Sequence, residues 1–437
     1  MKRKRTNRFG LALLGCVTAL ALFVAPAAGG EIDDLKSQIK ALMNRLEALE
    51  AREKKMKADM MAAQEAAQKK AVATGDFPGS WKMPGSNTSV SFSGYVKLDA
   101  IYDLDQDLGD SFFGYDWGGG ASGILLEGDD SGQRKTSLHA RQTRLRFDSL
   151  TPTKMGNLKT RIETDFYGGG NALRLRHAYA TLGGVLAGQT WSTLMDENTY
   201  ADTIDFEGPV GVITIRRPQV RYSQAMGKDL TAQVALEDPN APTILMAGGS
   251  TSSQERVPNF VAALRMKTSW GAINVSGLVG QVLYEQGAVE ESLTISALHL
   301  GANFGLGKNT RLWGTFNVGQ GGLDKSMLGS PGAAILSANN ELEALDSMGG
   351  FVGVTHNWSS SVSSGLYYGW VENDFEDAAK AVYPDLSQSL QTVHANIWWS
   401  PAPKMRAGVE IIQGRRETNG GEDGDATRLQ LGFQYSF

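Results

Sequence analysis

The chain has 437 residues, a net charge of −5, 52 glycines, 13 prolines and a single cysteine. The acidic charge argues against nucleic acid as a partner, and one cysteine excludes a disulfide framework. Beyond residue 30 no apolar stretch reaches the ~18 residues that a transmembrane helix requires, so the chain is not a helical membrane protein.

Residues 1–30 have the pattern of a secretory signal peptide. A basic start, MKRKRTNR, precedes an apolar run at 11–24, and Ala25 and Ala27 fit an A-x-A cleavage site. Cleavage removes five basic residues, so the net charge falls from −5 to −10. An alternative stays open, since Cys16 lies in a lipobox-like LLGC stretch and could carry a lipid. Both readings predict an exported protein.

Residues 31–70 carry a heptad pattern. Apolar residues recur in alternating steps of three and four, including Ile32, Leu35, Ile39, Leu42, Leu46, Leu49, Met56 and Met60. This spacing predicts a coiled coil, and Ile at a with Leu at d favours two strands. The alternative is one amphipathic helix that packs on its own domain. Residues 71–87, rich in Gly, Pro and Ser, predict a linker.

From residue 88 to 437 the hydrophobic period is two. About sixteen alternating runs, each near the ~10 residues of a tilted membrane strand, predict an all-β transmembrane barrel of antiparallel strands. Short links alternate with long ones, at roughly 104–134, 191–212, 238–256, 320–347 and 374–388. An up-and-down barrel with tight turns at one rim has this order. An even strand count puts both termini at the periplasmic rim, so we expect the coiled coil in the periplasm of a bacterial cell and the barrel in its outer membrane.

The strand ends support a membrane barrel. Trp270, Trp358, Trp398 and Trp399 lie at the short-turn ends of their strands, where an interfacial aromatic girdle is expected. The chain ends RLQLGFQYSF, with aromatic residues alternating at 433, 435 and 437 on the lipid-facing side. A terminal aromatic of this kind resembles the signal by which outer-membrane barrels are recognised for insertion, and pairing of the last strand with the first would close the barrel.

Basic side chains share one face of neighbouring strands. Charge on the lipid face is costly, so the pattern predicts a basic wall that lines the pore on the second, third, fourth and sixth strands. Its members are Arg144, Arg146, Lys159, Arg161, Arg174, Arg176, Arg217 and Arg221.

An acidic segment follows within the long link at 191–212. Its acidic residues are Asp196, Glu197, Asp202, Asp205 and Glu207. We expect this loop to fold into the pore opposite the basic wall, where fixed opposite charges would orient solutes and favour anions. The alternative is that the arginines only neutralise nearby carboxylates in a wet lumen.

Catalytic motifs are absent from the sequence. The five histidines lie in separate predicted strands, and there is no HExxH, paired cysteine, G-x-S-x-G or P-loop pattern. The sequence therefore predicts no enzyme activity, and it implies no metal and no cofactor.

The segment from Arg174 to Gln224 resembles the DcaP-like family of trimeric outer-membrane porins, most specifically in AGQTWST, DTIDFEGP and RRPQVRYSQ. The resemblance covers nearly the whole mature chain. It implies a sixteen-stranded barrel, a homotrimer, a periplasmic coiled coil and uptake of small negatively charged compounds such as dicarboxylates.

The sequence thus predicts a passive porin in outer-membrane lipid, with small anionic solutes as its cargo. The alternative function is structural: a barrel that anchors its coiled coil, with cell-wall contact as a tether. Such a tether would need no basic ladder in the lumen.

Overall fold

The computed structural model describes residues 29–70, 73–109, 113, 123–128, 134–375, 380 and 382–437. The predictions on the signal peptide and on lipidation of Cys16 lie outside the described residues. The chain divides into two compact units, Met1–Ala73 and Thr74–Phe437.

The first unit contains one long helix, α1, at Gly29–Lys70. Its described heptad side chains are solvent-exposed: Leu35, Leu42 and Leu46 expose 60%, 65% and 59% of their surface. A helix gains most of its stability in water from burying an apolar face, and the described part of this seam, from Leu35 to Met60, is not buried. Among the described residues, no helix is both long enough and apolar enough to cross a membrane.

The second unit is built from sixteen antiparallel strands. The first eight are β1 (Ser89–Asp103), β2 (Lys135–His139 and Arg144–Thr153, one strand interrupted by a turn), β3 (Gly156–Gly168), β4 (Ala172–Leu182), β5 (Val185–Trp191), β6 (Arg216–Ala225), β7 (Leu230–Glu237) and β8 (Asn259–Lys267). The second eight are β9 (Gly271–Gln286), β10 (Val289–Leu306), β11 (Thr310–Gln320), β12 (Asp346–Asn357), β13 (Val362–Asp374), β14 (Ser387–Trp399), β15 (Met405–Thr418) and β16 (Asp423–Ser436).

Each strand pairs with its neighbours in the chain, and β16 pairs with β1 from Tyr95↔Ser436 to Asp103↔Arg428. The sheet therefore closes and leaves no edge unpaired. The connections alternate short and long only in part: long loops lie at 104–134, 192–215, 238–258, 321–345 and 375–386, but the links at 169–171, 287–288 and 419–422 on the same rim are short. The prediction of a sixteen-stranded antiparallel barrel is confirmed.

The segment just before β1 is folded onto the barrel. Residues 74–88 include a short strand, Trp81–Lys82, that pairs with the start of β1, and Thr74 pairs with Trp81. Most of the expected linker at 71–87 is therefore a folded part of the barrel unit, while residues 71 and 72 lie outside the described part.

Outward side chains are apolar and exposed, as the period of two predicts. On β16 they are Leu431, Phe433 and Tyr435, followed by Phe437, whose ring stacks on Phe92 of β1. Of the four tryptophans expected in a girdle, three are exposed, but Trp398 is buried. It lies beneath the Arg406 guanidinium, 3.9 Å from its ring centre, because its position on β14 faces inward.

Two long loops also form a small second sheet. Its four short strands are Thr243–Met246, Gly249–Ser252, Ala334–Leu336 and Leu342–Ala344. Ile244, Ala333 and Ala334 of these loops pack against Val282 of β9 and Ile295 of β10 in a buried apolar cluster. This sheet lies at the long-loop ends of β9 and β10.

Candidate functional site

The loop at 192–215, hereafter the constriction loop, runs through the barrel interior. At its start, Ser192 Oγ and Thr193 N each donate a 2.6 Å hydrogen bond to the Glu237 carboxylate of β7. Further on, Ser276 Oγ of β9 donates to the Leu194 carbonyl at 2.6 Å. These bonds draw the first half of the loop onto the inner faces of β7 and β9.

The loop tip is fixed on the far side of the lumen by Glu410 of β15. Its carboxylate accepts the Ile204 N–H at 2.7 Å and the Asp205 N–H at 3.3 Å. His394 lies 3.1 Å from the same carboxylate, and Lys97 Nζ donates to the Ile204 carbonyl at 2.8 Å. Glu410 is fully buried. Bonds of this kind, with an ionised acceptor, are about twice as strong as neutral ones, so the tip is held firmly.

A second loop, at 321–345, supports the return of the constriction loop. Gly211 N donates to the Leu328 carbonyl and Leu328 N to the Val212 carbonyl, both at 2.9 Å. Ile213 and Met327 form an isolated β-bridge. The two loops thus form a ribbon inside the barrel.

This ribbon packs on an apolar part of the inner wall. Leu194, Met195, Val210, Ile213, Leu323 and Met327 from the loops join Val261, Leu278, Ala297, Val371 and Leu390 from the strands in one buried cluster. One half of the lumen is therefore filled with a hydrophobic core.

Basic side chains occupy the other half, on β2 to β4. Arg146 donates two hydrogen bonds to Glu163 at 2.8 and 2.6 Å, and Arg174 donates two to Asp165 at 3.0 and 2.7 Å. Arg176, only 1% exposed, lies between both carboxylates at 2.9 and 3.0 Å. Three of the predicted wall arginines are thus paired, which agrees with the neutralisation alternative for these residues.

Arg144 and Arg216 differ from those three. Neither side chain donates a hydrogen bond to another described residue, although Arg144 Nη1 forms a long ion pair with Glu163 Oε1 at 3.8 Å. Arg144 Nε is buried without a partner. Both guanidinium groups instead lie against aromatic rings: Arg216 is 4.5 Å from the Trp191 ring centre and Arg144 is 5.9 Å from that of Phe206. They keep their donors available to a ligand.

These two arginines line a cavity of about 300 Å³ between the basic wall and the constriction loop. The lining residues are Arg144, Arg176, Trp191, Met195, Glu197, Tyr200, Ala201, Asp202, Phe206, Glu207, Thr214 and Arg216. Cationic donors, aromatic faces and carboxylates thus surround one space. That combination can hold a small anion while opposing charges orient it.

The five predicted acidic residues have different positions. Glu197 and Asp202 are exposed at the cavity, where Glu197 accepts from Trp191 Nε1 at 2.7 Å and Asp202 pairs with Arg406 at 3.0 Å. Glu207 also lines the cavity but is buried. Asp196 and Asp205 are buried outside the cavity lining, where they accept backbone N–H groups of the loop itself.

Burial controls the charge of Glu207. It raises the pKa of this carboxyl to about 7, against the opposing effect of the nearby Arg216 guanidinium. Burial likewise raises the pKa of Asp205. The loop charge therefore changes near neutral pH.

The remaining predicted basic residues lie elsewhere on the same wall. Lys159 and Arg161 are nearer the short turns, and Arg161 Nε donates to Asp148 at 2.8 Å. Arg217 is buried and donates to the Asp238 and Pro239 carbonyls at 3.1 and 2.8 Å, which removes it from any open path. Arg221 is half-buried, and its Nε has no partner among the described residues.

The sequence prediction did not include Arg216, because strand alternation places its neighbour Arg217 on the inner face. Arg216 is the first residue of β6, opposite Trp191 of β5, and the adjoining loop turns inward at this point. The Arg-Arg doublet is visible in the sequence, but the Trp–Arg pair depends on strand register. The aromatic lining at Trp191 and Phe206 was also missed.

The histidines have structural partners. His177 bonds Thr190, His299 bonds Asn317 and His394 bonds Glu410. Within the described part of the chain, no group of three or more His, Cys, Asp or Glu side chains is arranged to hold a metal ion.

Comparisons with known proteins agree with this architecture. A family model described as "DcaP outer membrane protein" matches residues 20–437. The crystal structure of the outer membrane channel DcaP of Acinetobacter baumannii is 25% identical, with a TM-score of 0.72, and the match covers 84% of this chain and 100% of that one.

Two other solved structures share the fold. The anion-selective porin from Comamonas acidovorans is 11% identical over 80% of this chain and 100% of its own, with a TM-score of 0.51. The trimer form of OmpT from Vibrio cholerae is 13% identical over 80% of this chain and 99% of its own, with a TM-score of 0.52. Such low identity speaks for the fold alone. No curated protein matches the sequence.

Proposed function

The chain belongs to the DcaP outer membrane protein family, and from that premise we propose that it is a passive, anion-preferring channel for small dicarboxylate-like solutes. It is an outer-membrane barrel of the porin fold, and its family and structural relatives are channels rather than enzymes. Charge selection at the constriction is the part of the proposal that goes beyond family membership.

The guanidinium groups of Arg144 and Arg216 carry the proposal. Three wall arginines, Arg146, Arg174 and Arg176, are neutralised by Glu163 and Asp165, and they contribute structure more than binding. Arg144 and Arg216 line the same cavity, and no described residue accepts a hydrogen bond from them. A guanidinium offers carboxylates a planar set of donors that can bind two oxygens at once. Two such groups fit the two ends of a small dianion.

The constriction loop supplies the opposing charge. Glu197 and Asp202 are exposed on the same cavity, and the loop that carries them is fixed at its start and at its tip by hydrogen bonds to strand side chains. Fixed charges of opposite sign across a narrow passage produce a field that orients a dipolar or anionic solute. A rigid loop keeps that field constant, so no gating step is required for passive diffusion.

The assembly we propose is a homotrimer with a coiled coil in the periplasm. The exposed apolar seam of α1 supports association between copies, since such a seam is stable in water only when it is covered. The heptad chemistry favours two strands, whereas the family resemblance implies three. Mass photometry of the detergent-solubilised protein would give the number of chains in the assembly. Contact between this coiled coil and the cell wall is a further part of the proposal.

The test is the reversal potential of the purified protein in a planar bilayer under a KCl gradient. We expect anion preference for the natural chain. In a variant with Arg144→Gln and Arg216→Gln together, Glu163, Asp165 and the loop acids keep their charge, so the preference should fall and shift towards cations. Succinate added to the bath should block the natural channel more strongly than the variant.

Arg415→Gln is the matched control. Arg415 is exposed on β15, where it pairs with Asp423 at 3.0 Å, outside the cavity lining. Its loss should leave selectivity unchanged. Equal reversal potentials for the natural chain and the double variant would remove Arg144 and Arg216 from the mechanism. A folded protein without conductance would instead favour the structural tether.

A further inference from the structure

A second cavity, of about 310 Å³, lies at the opposite end of the basic wall. The residues that line it are Phe77, Asp148, Ser149, Leu150, Lys159, Thr160, Arg161, Tyr179 and Thr181. Leu150, Lys159 and Thr181 are each a few residues from the short turns that join β2 to β3 and β4 to β5. The cavity is therefore at the short-turn rim, separate from the lining of the constriction.

The polar groups of this cavity are only partly satisfied. Arg161 Nε donates to Asp148 Oδ1 at 2.8 Å, and no other described residue accepts a hydrogen bond from this guanidinium. Lys159 is exposed and has no ion-pair partner among the described residues. Tyr179 also lines the cavity. Two cations against one carboxylate leave one net positive charge, which suits one carboxylate of a ligand.

Phe77 gives the cavity an apolar side. It belongs to the folded segment before β1, and this segment is well anchored: Asp76 N donates to Ser89 Oγ at 2.9 Å and Ser80 Oγ donates to the Phe77 carbonyl at 2.6 Å. Asp76 also pairs with Lys82 at 2.6 Å. Phe77 and Leu150 thus give the cavity an apolar surface beside Lys159 and Arg161.

We propose that this cavity is a second anion subsite, specific for a carboxylate attached to an apolar or aromatic body. Lys159 and the free terminal nitrogens of Arg161 bind the carboxylate, while the body packs between Phe77 and Leu150. Charge-assisted hydrogen bonds supply the affinity, and burial of the apolar body discriminates against small hydrophilic anions. A solute that leaves the constriction binds here before it exits at the short-turn rim.

The role of this subsite in transport rests on the proposed function. Its ligand binding does not, because binding is measured in solution and not as a channel current. The probe is benzoate, with acetate as the anion that lacks an apolar body. Isothermal titration calorimetry of the full chain in detergent is performed in the Arg144→Gln/Arg216→Gln background, which removes the free cations of the constriction. The benzoate binding that remains reports on the second cavity.

In that background we expect saturable benzoate binding that is tighter than acetate binding. Lys159→Gln should weaken both anions, by about tenfold, since one charge-assisted hydrogen bond is worth roughly 1.4 kcal/mol or more. Phe77→Ala should weaken benzoate and leave acetate unchanged. Lys154→Gln, at an exposed turn position on the same hairpin, is the matched control and should change neither.

Absence of saturable benzoate binding in that background would overturn the subsite. So would equal benzoate affinities in the parent, Lys159→Gln and Phe77→Ala proteins. The bilayer result is independent: a channel without anion preference that still binds benzoate in this Phe77-dependent way contradicts the proposed function and supports the subsite.

Discussion

The two halves of the lumen differ in the polarity of the side chains that line them. Inward side chains of β2 to β4 are mostly charged and line open cavities. Inward side chains of β8 to β10 include apolar ones, such as Val261, Leu278 and Ala297, which two loops bury. Polar neighbours such as Asn274 and His299 are buried with them. The strands of both halves have the same period and the same apolar outer face. Strand alternation therefore determines which residues point into the lumen. The loops determine whether those residues line an open cavity or are buried in a hydrophobic core.

The charged half depends on the apolar half. The constriction loop reaches the arginines only because its two ends are packed on the opposite wall and its tip is held by Glu410. A rigid loop is the condition for fixed charges across a passage, so the hydrophobic core inside the barrel serves selectivity as well as stability.

The largest expected effect comes from breaking the link between the halves with Glu410→Ala. The Ile204 and Asp205 N–H groups and His394 lose their acceptor, and unsatisfied buried polar groups of this kind cost about 1–3 kcal/mol each. We expect the loop tip to leave its position. Single-channel conductance should rise several-fold, and anion preference should weaken.

Glu417→Gln is the control for that variant, since Glu417 is an exposed acid on the same strand. It should leave conductance at the natural value. A Glu410→Ala channel with natural conductance would mean that the apolar packing alone holds the loop.

A second change tests the apolar half by itself. Leu278→Ala removes a buried side chain of the lumenal cluster. Truncation of a buried leucine to alanine typically lowers the free energy of unfolding by about 2–5 kcal/mol. Leu298→Ala, on the outward face of the adjoining strand β10, should cost much less because that side chain is exposed. Urea unfolding in detergent measures both. Similar losses would show that the lumenal cluster is not a core.

The smallest expected effect is the response of the charged half to pH. The pKa of Glu207 is raised to about 7 by burial, so this carboxyl is largely charged at pH 8 and largely neutral at pH 6. The constriction becomes less negative as pH falls, and anion preference should rise modestly across that interval. The Glu207→Gln channel should show the higher anion preference at both pH 6 and pH 8. An equal pH response in the variant would assign the titration to another group.

Much of the fold follows from local pattern. The period of two from residue 88, the alternation of short and long links and the heptads of α1 are each properties of neighbouring residues, so the sequence alone predicts the strand count, the closure of the barrel and the helix. The folded segment around Phe77 was missed because its Gly, Pro and Ser content is typical of a linker. Trp398 was misplaced because its position at a strand end does not reveal which face it occupies.

The candidate site was predictable only in outline. The sequence by itself determined that arginines on β2, β3, β4 and β6 share one face and that an acidic loop lies between them along the chain. Only the tertiary structure decided which arginines are free. Arg176 is neutralised by carboxylates on β3, and Arg217 donates its hydrogen bonds to carbonyls of another loop, whereas Arg216 turns inward beside Trp191. The physical reason is that charge pairing and the path of the constriction loop depend on contacts between residues far apart in the chain, such as Ile204 with Glu410, which no local pattern records.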